Sequence, residues 1–327
     1  MPEKAHALEA VIGDIGGTNT RLALSAGGRY REVARFDNAG AAGLDALIDH
    51  YLRERRLAAA QLQLWLAVAA PVRGDAAVMT NLPWRISAPE LHARFGFRRV
   101  RLVNDFAAVA HALGALGADD CQLLGGGAGD PGAPRLVLGP GTGLGAALWI
   151  PHSQGPLVVA TEAGHATLAA ADDREAALIA AVRARHGHVS AERLLSGPGL
   201  VELYRTVGEI EGRPRAAPVP AEVTARALAG TDPIAEAALG HFFALLGGFA
   251  GNLALSSGAR GGIYLGGGIL PQLGEALAAS AFRARLLAKG RFAAYLEAIP
   301  LALIRHPEPA LLGLAQASAG AEGTPDY

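Results

Sequence analysis

Apolar residues recur along the chain in two alternating periods, which sets the expected architecture. Ala10-Val-Ile-Gly13 and Arg21-Leu-Ala-Leu24 flank a glycine-rich turn and read as a β-hairpin, with a third strand near Tyr30–Phe36. Leu44, Leu47, Ile48, Tyr51 and Leu52 share one helical face, which predicts a helix over Leu44–Leu57. Leu64-Trp-Leu-Ala-Val-Ala-Ala70 is apolar without a break and stops at Pro71, as a strand covered on both faces does. Val100-Arg-Leu-Val103 predicts another strand, and Phe106–Leu116 a helix.

A second round begins at Arg135, where the chain to Ile150 again reads strand, glycine turn, strand. Asp232-Pro233 has the cap residue and first-position proline of a helix start, and Gly258 marks its end near Ser257. Its apolar run, Phe242–Leu255, has 14 residues and includes Asn252, which suits a buried helix better than a bilayer span. Ile263–Pro271 reads strand, glycine turn, helix, and the Pro/Ala/Arg-rich Gly212–Pro220 an exposed loop. Ile12–Leu24 and Leu138–Leu148 both set Gly-Thr in a glycine turn between apolar strands, so the chain is expected to hold two related α/β halves.

Composition sharpens this reading. The 327 residues include 43 glycines, nearly twice the usual frequency, clustered at Gly13–Gly17, Gly125–Gly129, Gly139–Gly145, Gly247–Gly251 and Gly258–Gly268. Bare backbone at strand ends serves sharp turns or close approach to a ligand. With 51% hydrophobic and 18% charged residues the chain builds cores, which excludes disorder. Lys and Arg number 29 against 30 Asp and Glu, so no nucleic-acid partner is expected, and the basic run Arg94–Arg101 reads as a solvated edge. A single cysteine, Cys121, excludes an internal disulfide framework and a thiolate zinc site and points to a reducing compartment. Met1–Glu9 shows no basic region followed by an apolar stretch, so no secretion signal and no membrane association are expected.

Five segments carry candidate chemistry. In Gly13-Asp-Ile-Gly-Gly-Thr-Asn-Thr-Arg21, successive amides would form a nest for anionic oxygens, Thr18 and Thr20 would add hydroxyl donors, and Asp14 would hold Mg²⁺. An ordinary hairpin is the other reading. The spacing is neither a Walker A loop nor a dinucleotide fingerprint, because a strand follows the turn. Gly139-Pro-Gly-Thr-Gly-Leu-Gly145 repeats the pattern, and two such loops would grip one nucleotide tail. Asn104-Asp105 lies between strand and helix, where Asp105 is either a base for a substrate hydroxyl or a helix cap. Glu162-Ala-Gly-His165 has a metal-ligand spacing but only one copy, so with Glu192 it reads as a set of acceptors for a polyhydroxylated ligand. The glycines of Leu265-Gly-Gly-Gly-Ile-Leu270 would let an adenine or ribose lie close.

In order along the chain, Asp14-Ile-Gly-Gly-Thr-Asn-Thr-Arg-Leu-Ala, Val103-Asn-Asp-Phe-Ala-Ala-Val-Ala, Gly139–Gly145, Glu162-Ala-Gly-His165, Ser190-Ala-Glu-Arg-Leu-Leu-Ser-Gly-Pro-Gly and Leu265-Gly-Gly-Gly-Ile resemble the bacterial ATP-dependent glucokinases. That family belongs to the hexokinase–actin–chaperone ATPase superfamily, and the resemblance runs from about residue 10 to Gly313. It implies an α/β fold of two ribonuclease-H-like domains around a central cleft, residues 1–112 with 304–327 and residues 113–303. A carboxyl-terminal helix, Pro309–Gln316, is expected to return to the first domain.

The resemblance implies further that Asp105 is the catalytic base, with Asn104, Asp105, Glu162, His165 and Glu192 binding glucose. Gly13, Asp14, Ile15, Gly16, Gly17 and Thr18, with Gly141, Thr142, Gly143, Gly266 and Gly267, would bind ATP, and Asp14 the Mg²⁺. A cytoplasmic homodimer acting on glucose is the implied protein. A kinase for mannose, glucosamine or fructose, a non-catalytic sugar sensor, and an ATPase without a small substrate stay open as alternatives. Two departures stand out. The family commonly shows Gly-Glu-Gly-Gly-His where this chain has Thr161-Glu-Ala-Gly-His165, and the lone cysteine sets it apart from the related group with a cysteine-rich zinc motif.

Overall fold

The computed structural model describes residues 9–79, 82–214 and 218–320. Most of the stretch read for a secretion signal (residues 1–8) and part of the Gly212–Pro220 loop (residues 215–217) lie outside the described residues. Two compact units emerge: Met1–Gly117 with His152–Ala160 and His306–Tyr327, and Ala118–Pro151 with Thr161–Arg305.

In the first unit β1 (Ala10–Ile15) and β2 (Asn19–Ala26) form the expected hairpin, with Asp14 opposite Arg21, and β3 (Arg29–Asp37) extends it. Every residue of β4 (Gln63–Val68) is buried, as its unbroken apolar run requires of a central parallel strand. A small antiparallel sheet follows, β5 (Val72–Arg73), β6 (Ala76–Val78) and β7 (Arg85–Ser87), too short to leave an apolar period. With β8 (Arg99–Asn104) the main sheet has the order β3-β2-β1-β4-β8, in which β1, β4 and β8 run parallel.

Helix α1 (Leu44–Glu54) buries the five apolar residues its spacing selects, but it stops before Leu57 because Arg56 takes a left-handed φ of 52°. Helix α2 (Ala88–Phe95) is capped by the Ser87 hydroxyl and stopped by Gly96. Helix α3 (Asp105–Ala112) likewise ends short of Leu116, its last turn tightened by the Leu113 amide on the Ala110 carbonyl at 3.0 Å. The carboxyl-terminal helix Pro309–Gly320 extends beyond Gln316 and packs on α3 so closely that a Cβ at Gly313 would overlap the Ala108 carbonyl. In the basic run, Arg94 and Arg98 are exposed, whereas Arg99 and Arg101 are half-buried within β8.

The second unit is built on β9 (Cys121–Gly125), β10 (Arg135–Pro140) and β11 (Leu144–Ile150); β12 (Leu157–Thr161) then delivers the chain to Glu162. Helices α4 (Asp173–His186), α5 (Ala191–Leu194), α6 (Gly197–Ile210), α7 (Pro220–Leu228) and α8 (Pro233–Ser257) precede β13 (Gly262–Leu265) and β14 (Leu301–Ile304). The expected limits of α8 hold: Asp232 accepts the Ile234 amide at 3.0 Å, and Gly258 is left-handed. Helix α8 is long and apolar enough to cross a membrane, yet 67% of its most apolar window is buried, with Phe242, Leu246 and Ala250 in the core.

Strand order here includes β11-β10-β13-β14-β9. Strand β10 is antiparallel to β11 and parallel to β13, as β1 is to β2 and β4, so the repeated glycine hairpin belongs to a repeated sheet. The antiparallel edge strand β9 adds to that plan. After β13 a 3₁₀ turn, Leu270–Leu273, intervenes before the next α-helix, so the glycine turn does not open a helix directly.

Candidate active site

Parallel register aligns Ile15, Val68 and Asn104 in one row at the carboxyl ends of β1, β4 and β8. Open α/β sheets present ligand sites at this edge. Asp14 and Asp105, distant in sequence, both reach it. The sequence left Asp105 as a possible cap, but the structure gives that task to Asn104. Its Oδ1 accepts the Phe106 and Ala107 amides at 3.0 and 3.2 Å, while its Nδ2 donates to Asp105 Oδ1 at 3.0 Å. The Phe106 amide also donates to Asp105 Oδ1, at 2.9 Å, leaving Oδ2 without a side-chain donor among the described residues. Burial pushes the Asp105 carboxyl up to about 7; the Phe106 amide opposes that shift and the nearby Asp14 charge adds to it.

Asp14 faces its cross-strand partner Arg21, whose Nη1 donates to Oδ2 at 2.9 Å. Burial raises the Asp14 pKa, and Arg21 opposes the rise. Among the described residues no group of three metal-ligating side chains stands together, and Asp14 Oδ1 accepts no hydrogen bond. One open carboxylate oxygen fits Mg²⁺, which takes its other ligands from water and nucleotide phosphates.

The candidate nucleotide residues of this unit divide into two kinds. Strand β1 lies between β2 and β4, so the sheet ladders take the Gly13 and Ile15 amides. A Cβ on Gly13 would stand 2.8 Å from the side chains of Leu22 and Leu66, so its role there is packing. The Gly16 amide closes its own turn onto the Asn19 carbonyl at 3.0 Å, while the Gly17 and Thr18 amides have no partner among the described residues. Thr20 corrects the sequence reading. It is 0% exposed and its hydroxyl is spent on Asn38 Oδ1 at 2.8 Å, so it offers nothing to a ligand.

In the second unit three glycine segments converge. The Gly141 amide donates to the Gly143 carbonyl at 2.7 Å, closing the β10–β11 turn, and the Gly197 amide at the start of α6 donates to the Gly141 carbonyl at 2.8 Å. From the third segment, the Gly266 amide donates to the Leu138 carbonyl at 2.9 Å. Gly267 has a φ of 82°, and a Cβ on it would overlap the Pro140 carbonyl. Only glycine backbone packs this way. The amides of Thr142, Gly143 and Gly267 have no partner among the described residues, whereas those of Gly141 and Gly266 shape the turns.

Glu192 and the turn that carries Glu162 and His165 both meet Leu144. The Leu144 amide donates to Glu192 Oε2 at 2.8 Å, and Gly164, buried in the 3₁₀ turn Ala163–His165, would overlap the Leu144 carbonyl if it carried a Cβ. Glu162 precedes that turn and His165 closes it, both exposed, with His165 Nε2 3.8 Å from Glu162 Oε2. A single 3₁₀ turn is not a metal-binding helix pair, so the acceptor reading is the one the geometry favours. Thr161 ties the turn down: its hydroxyl donates to the Ala146 carbonyl at 2.8 Å and accepts the Ala163 amide at 3.4 Å. Sequence reasoning noticed Thr161 only as a departure, and it missed Asn38 altogether.

A family model described as glucokinase matches residues 11–321. The glucokinase of Paramagnetospirillum magneticum is 44% identical over 93% of this chain and 96% of its own length. That of Aromatoleum aromaticum is 43% identical over 96% of this chain and 97% of its own. Among solved structures, a glucokinase from an Antarctic psychrotroph superposes with a TM-score of 0.85 at 33% identity, covering 95% of this chain and 98% of that one. A glucokinase from Balamuthia mandrillaris in complex with glucose shares the fold at a TM-score of 0.76 and 24% identity, over 97% of this chain and 95% of that one.

Proposed function

This chain belongs to the glucokinase family, and on that footing we propose how its own residues divide the work of moving the γ-phosphoryl group of ATP to the 6-hydroxyl of D-glucose. The fold is that of the actin-like ATPases, with a ribonuclease-H-like sheet in each unit. A division into domains at residues 1–112 with 304–327 and 113–303 has its outer limits near those of the two compact units, and departs from them at His152–Ala160, which groups with the first unit.

Asp105 Oδ2 accepts the proton of the 6-hydroxyl as that oxygen attacks the γ-phosphorus. The bond from phosphorus to the bridging oxygen breaks, ADP leaves, and the proton stays on Asp105 until water removes it. A carboxyl held near 7 is matched to this task at neutral pH, where proton acceptance and release are both accessible. Phosphoryl transfer otherwise asks for position and charge. Glu162, His165 and Glu192 supply hydrogen-bond partners for the vicinal hydroxyls, and Asn104, whose Oδ1 is committed to the cap, offers its remaining Nδ2 hydrogen. The free amides of Gly17, Thr18, Thr142 and Gly143 take phosphate oxygens, while Gly266 and Gly267 offer flat backbone to the nucleoside. Asp14 would hold Mg²⁺, which offsets phosphate charge when bound.

The observation that carries this reading is Asp105 itself, placed at the carboxyl edge of the sheet with Oδ1 engaged and Oδ2 open. Purified protein with Mg²⁺ and ATP is expected to release ADP only when sugar is present, with glucose giving the highest kcat/KM of a hexose panel. Asp105→Asn should keep glucose binding and lower kcat by at least ~10², the scale of a positioned base. Near-normal turnover in that variant would remove the base assignment, and sugar-independent ADP release would favour a bare ATPase. Family membership also supports a cytoplasmic homodimer, to be checked by sedimentation.

A further inference from the structure

Asn38 follows β3 and opens a 3₁₀ turn, Asn38–Gly40, itself held by Asp37 Oδ1 on the Ala39 amide at 2.9 Å. It is 4% exposed, and all its polar groups apart from its own carbonyl are turned on one object, the turn Gly16–Thr20. Its Nδ2 donates to the Gly16 carbonyl at 2.9 Å, its backbone amide to the Thr18 carbonyl at 2.9 Å, and its Oδ1 accepts the Thr20 hydroxyl at 2.8 Å.

A buried amide and a buried hydroxyl are costly unless fully bonded, and an apolar pair of the same shape would serve stability as well. What the polar pair adds is a fixed backbone: the bonds end on the two carbonyls that bracket Gly17. With those carbonyls drawn toward Asn38, and the Gly16 amide closed on Asn19, the Gly17 and Thr18 amides are the ones left without a partner among the described residues. Preorganised donors bind an anion without the entropy cost of ordering a glycine turn at the moment of binding.

We propose that Asn38, with Thr20, is a positioning residue that fixes the Gly16–Thr18 turn and thereby sets the affinity for the nucleotide triphosphate. This rests on the reading that the turn receives phosphate oxygens. Asn38 touches no phosphate itself. It acts through the conformation of the glycines, so its loss shows in nucleotide binding and leaves sugar binding unmoved.

The test uses the full-length enzyme and a non-hydrolysable ATP analogue with Mg²⁺. Asn38→Ala and the near-isosteric Thr20→Val are expected to raise the analogue's Kd about tenfold, as loss of a buried hydrogen bond implies. They should also speed amide exchange at residues 16–18, while the Kd for glucose stays within about twofold. Thr20→Ser keeps the hydroxyl and should keep the affinity. An unchanged analogue Kd in folded Thr20→Val and Asn38→Ala, with only the melting temperature lowered, would overturn the positioning role. In the wild-type enzyme the analogue should slow amide exchange at residues 16–18. If it does not, the phosphate reading beneath the proposal falls instead, whatever the variants do.

Discussion

Glu192 on α5 and Leu144 at the first position of β11 are joined by a 2.8 Å hydrogen bond from the Leu144 amide to Glu192 Oε2. A residue proposed to hold sugar is thereby anchored to the strand that leaves the proposed phosphate turn. The two tasks share a backbone.

Gly143→Ala tests that sharing. A Cβ at Gly143 would stand 2.5 Å from Glu192 Oε2, too close for both to keep their places. The carboxylate must swing away and release the Leu144 amide. The KM for glucose is expected to rise about tenfold, the order of one charge-assisted hydrogen bond, although the change lies in the nucleotide turn. Steady-state kinetics with each substrate varied in turn would show it; a rise confined to the KM for ATP would mean that Glu192 does not bind sugar.

The acid limb of the activity profile should report Asp105. Its carboxyl must be ionised to accept a proton, and burial holds its pKa at about 7. For the free enzyme, kcat/KM for glucose is expected to climb about tenfold per pH unit below that point and level off above it. A profile flat from roughly pH 6 to 8 would contradict the assignment.

The same shift acts on stability with the opposite sign to a paired carboxylate. The Asp105 pKa is raised from 3.8 in the unfolded chain to about 7 in the folded one, so between those values the folded state holds a proton the unfolded state has lost. This group therefore favours the native state fully below about 3.8 and loses that contribution as pH rises through about 7. Asp105→Asn removes the penalty of ionising the site, and its Oδ1 would still accept the Phe106 and Asn104 donors. The variant should melt higher than wild type at pH 8, with the difference narrowing toward pH 5; equal melting temperatures at both would contradict it.

The sequence made some of this legible and hid the rest for identifiable reasons. Strand β4, helix α8 and the two glycine hairpins were readable because apolar period, cap and stop residues all agree there. Helix α1 ran past its end in the reading because the apolar face continues to Leu57 while the left-handed backbone at Arg56 does not. Glu162, His165 and Glu192 were visible as residue types. That Glu192 and the turn carrying the other two both meet Leu144 depends on α5 and the 3₁₀ turn packing against β11, which no local pattern encodes. Asn38 was invisible for the same reason: its partners at Gly16, Thr18 and Thr20 come to it only through the β2–β3 pairing. Thr20 was misread because a hydroxyl in a glycine turn looks like a ligand donor until its burial is known.

Thr161→Val separates a tether from a passive departure. The Thr161 hydroxyl is the link between the Glu162–His165 turn and β11, donating to the Ala146 carbonyl and accepting the Ala163 amide. Valine keeps the shape at β12 and removes both bonds, so the turn loses its hold at one end while Gly164 still seats against Leu144 at the other. The net worth of one such bond, about 0.5–1.5 kcal/mol, with the 3.4 Å contact adding little, predicts a KM for glucose raised roughly 3- to 10-fold, with kcat changed less than about twofold because Asp105 is untouched. Thr161→Ser retains the hydroxyl and should restore most of the affinity. Should valine and serine behave alike at this position, the hydroxyl has no part in holding the sugar-binding turn, and backbone packing at Gly164 alone positions Glu162.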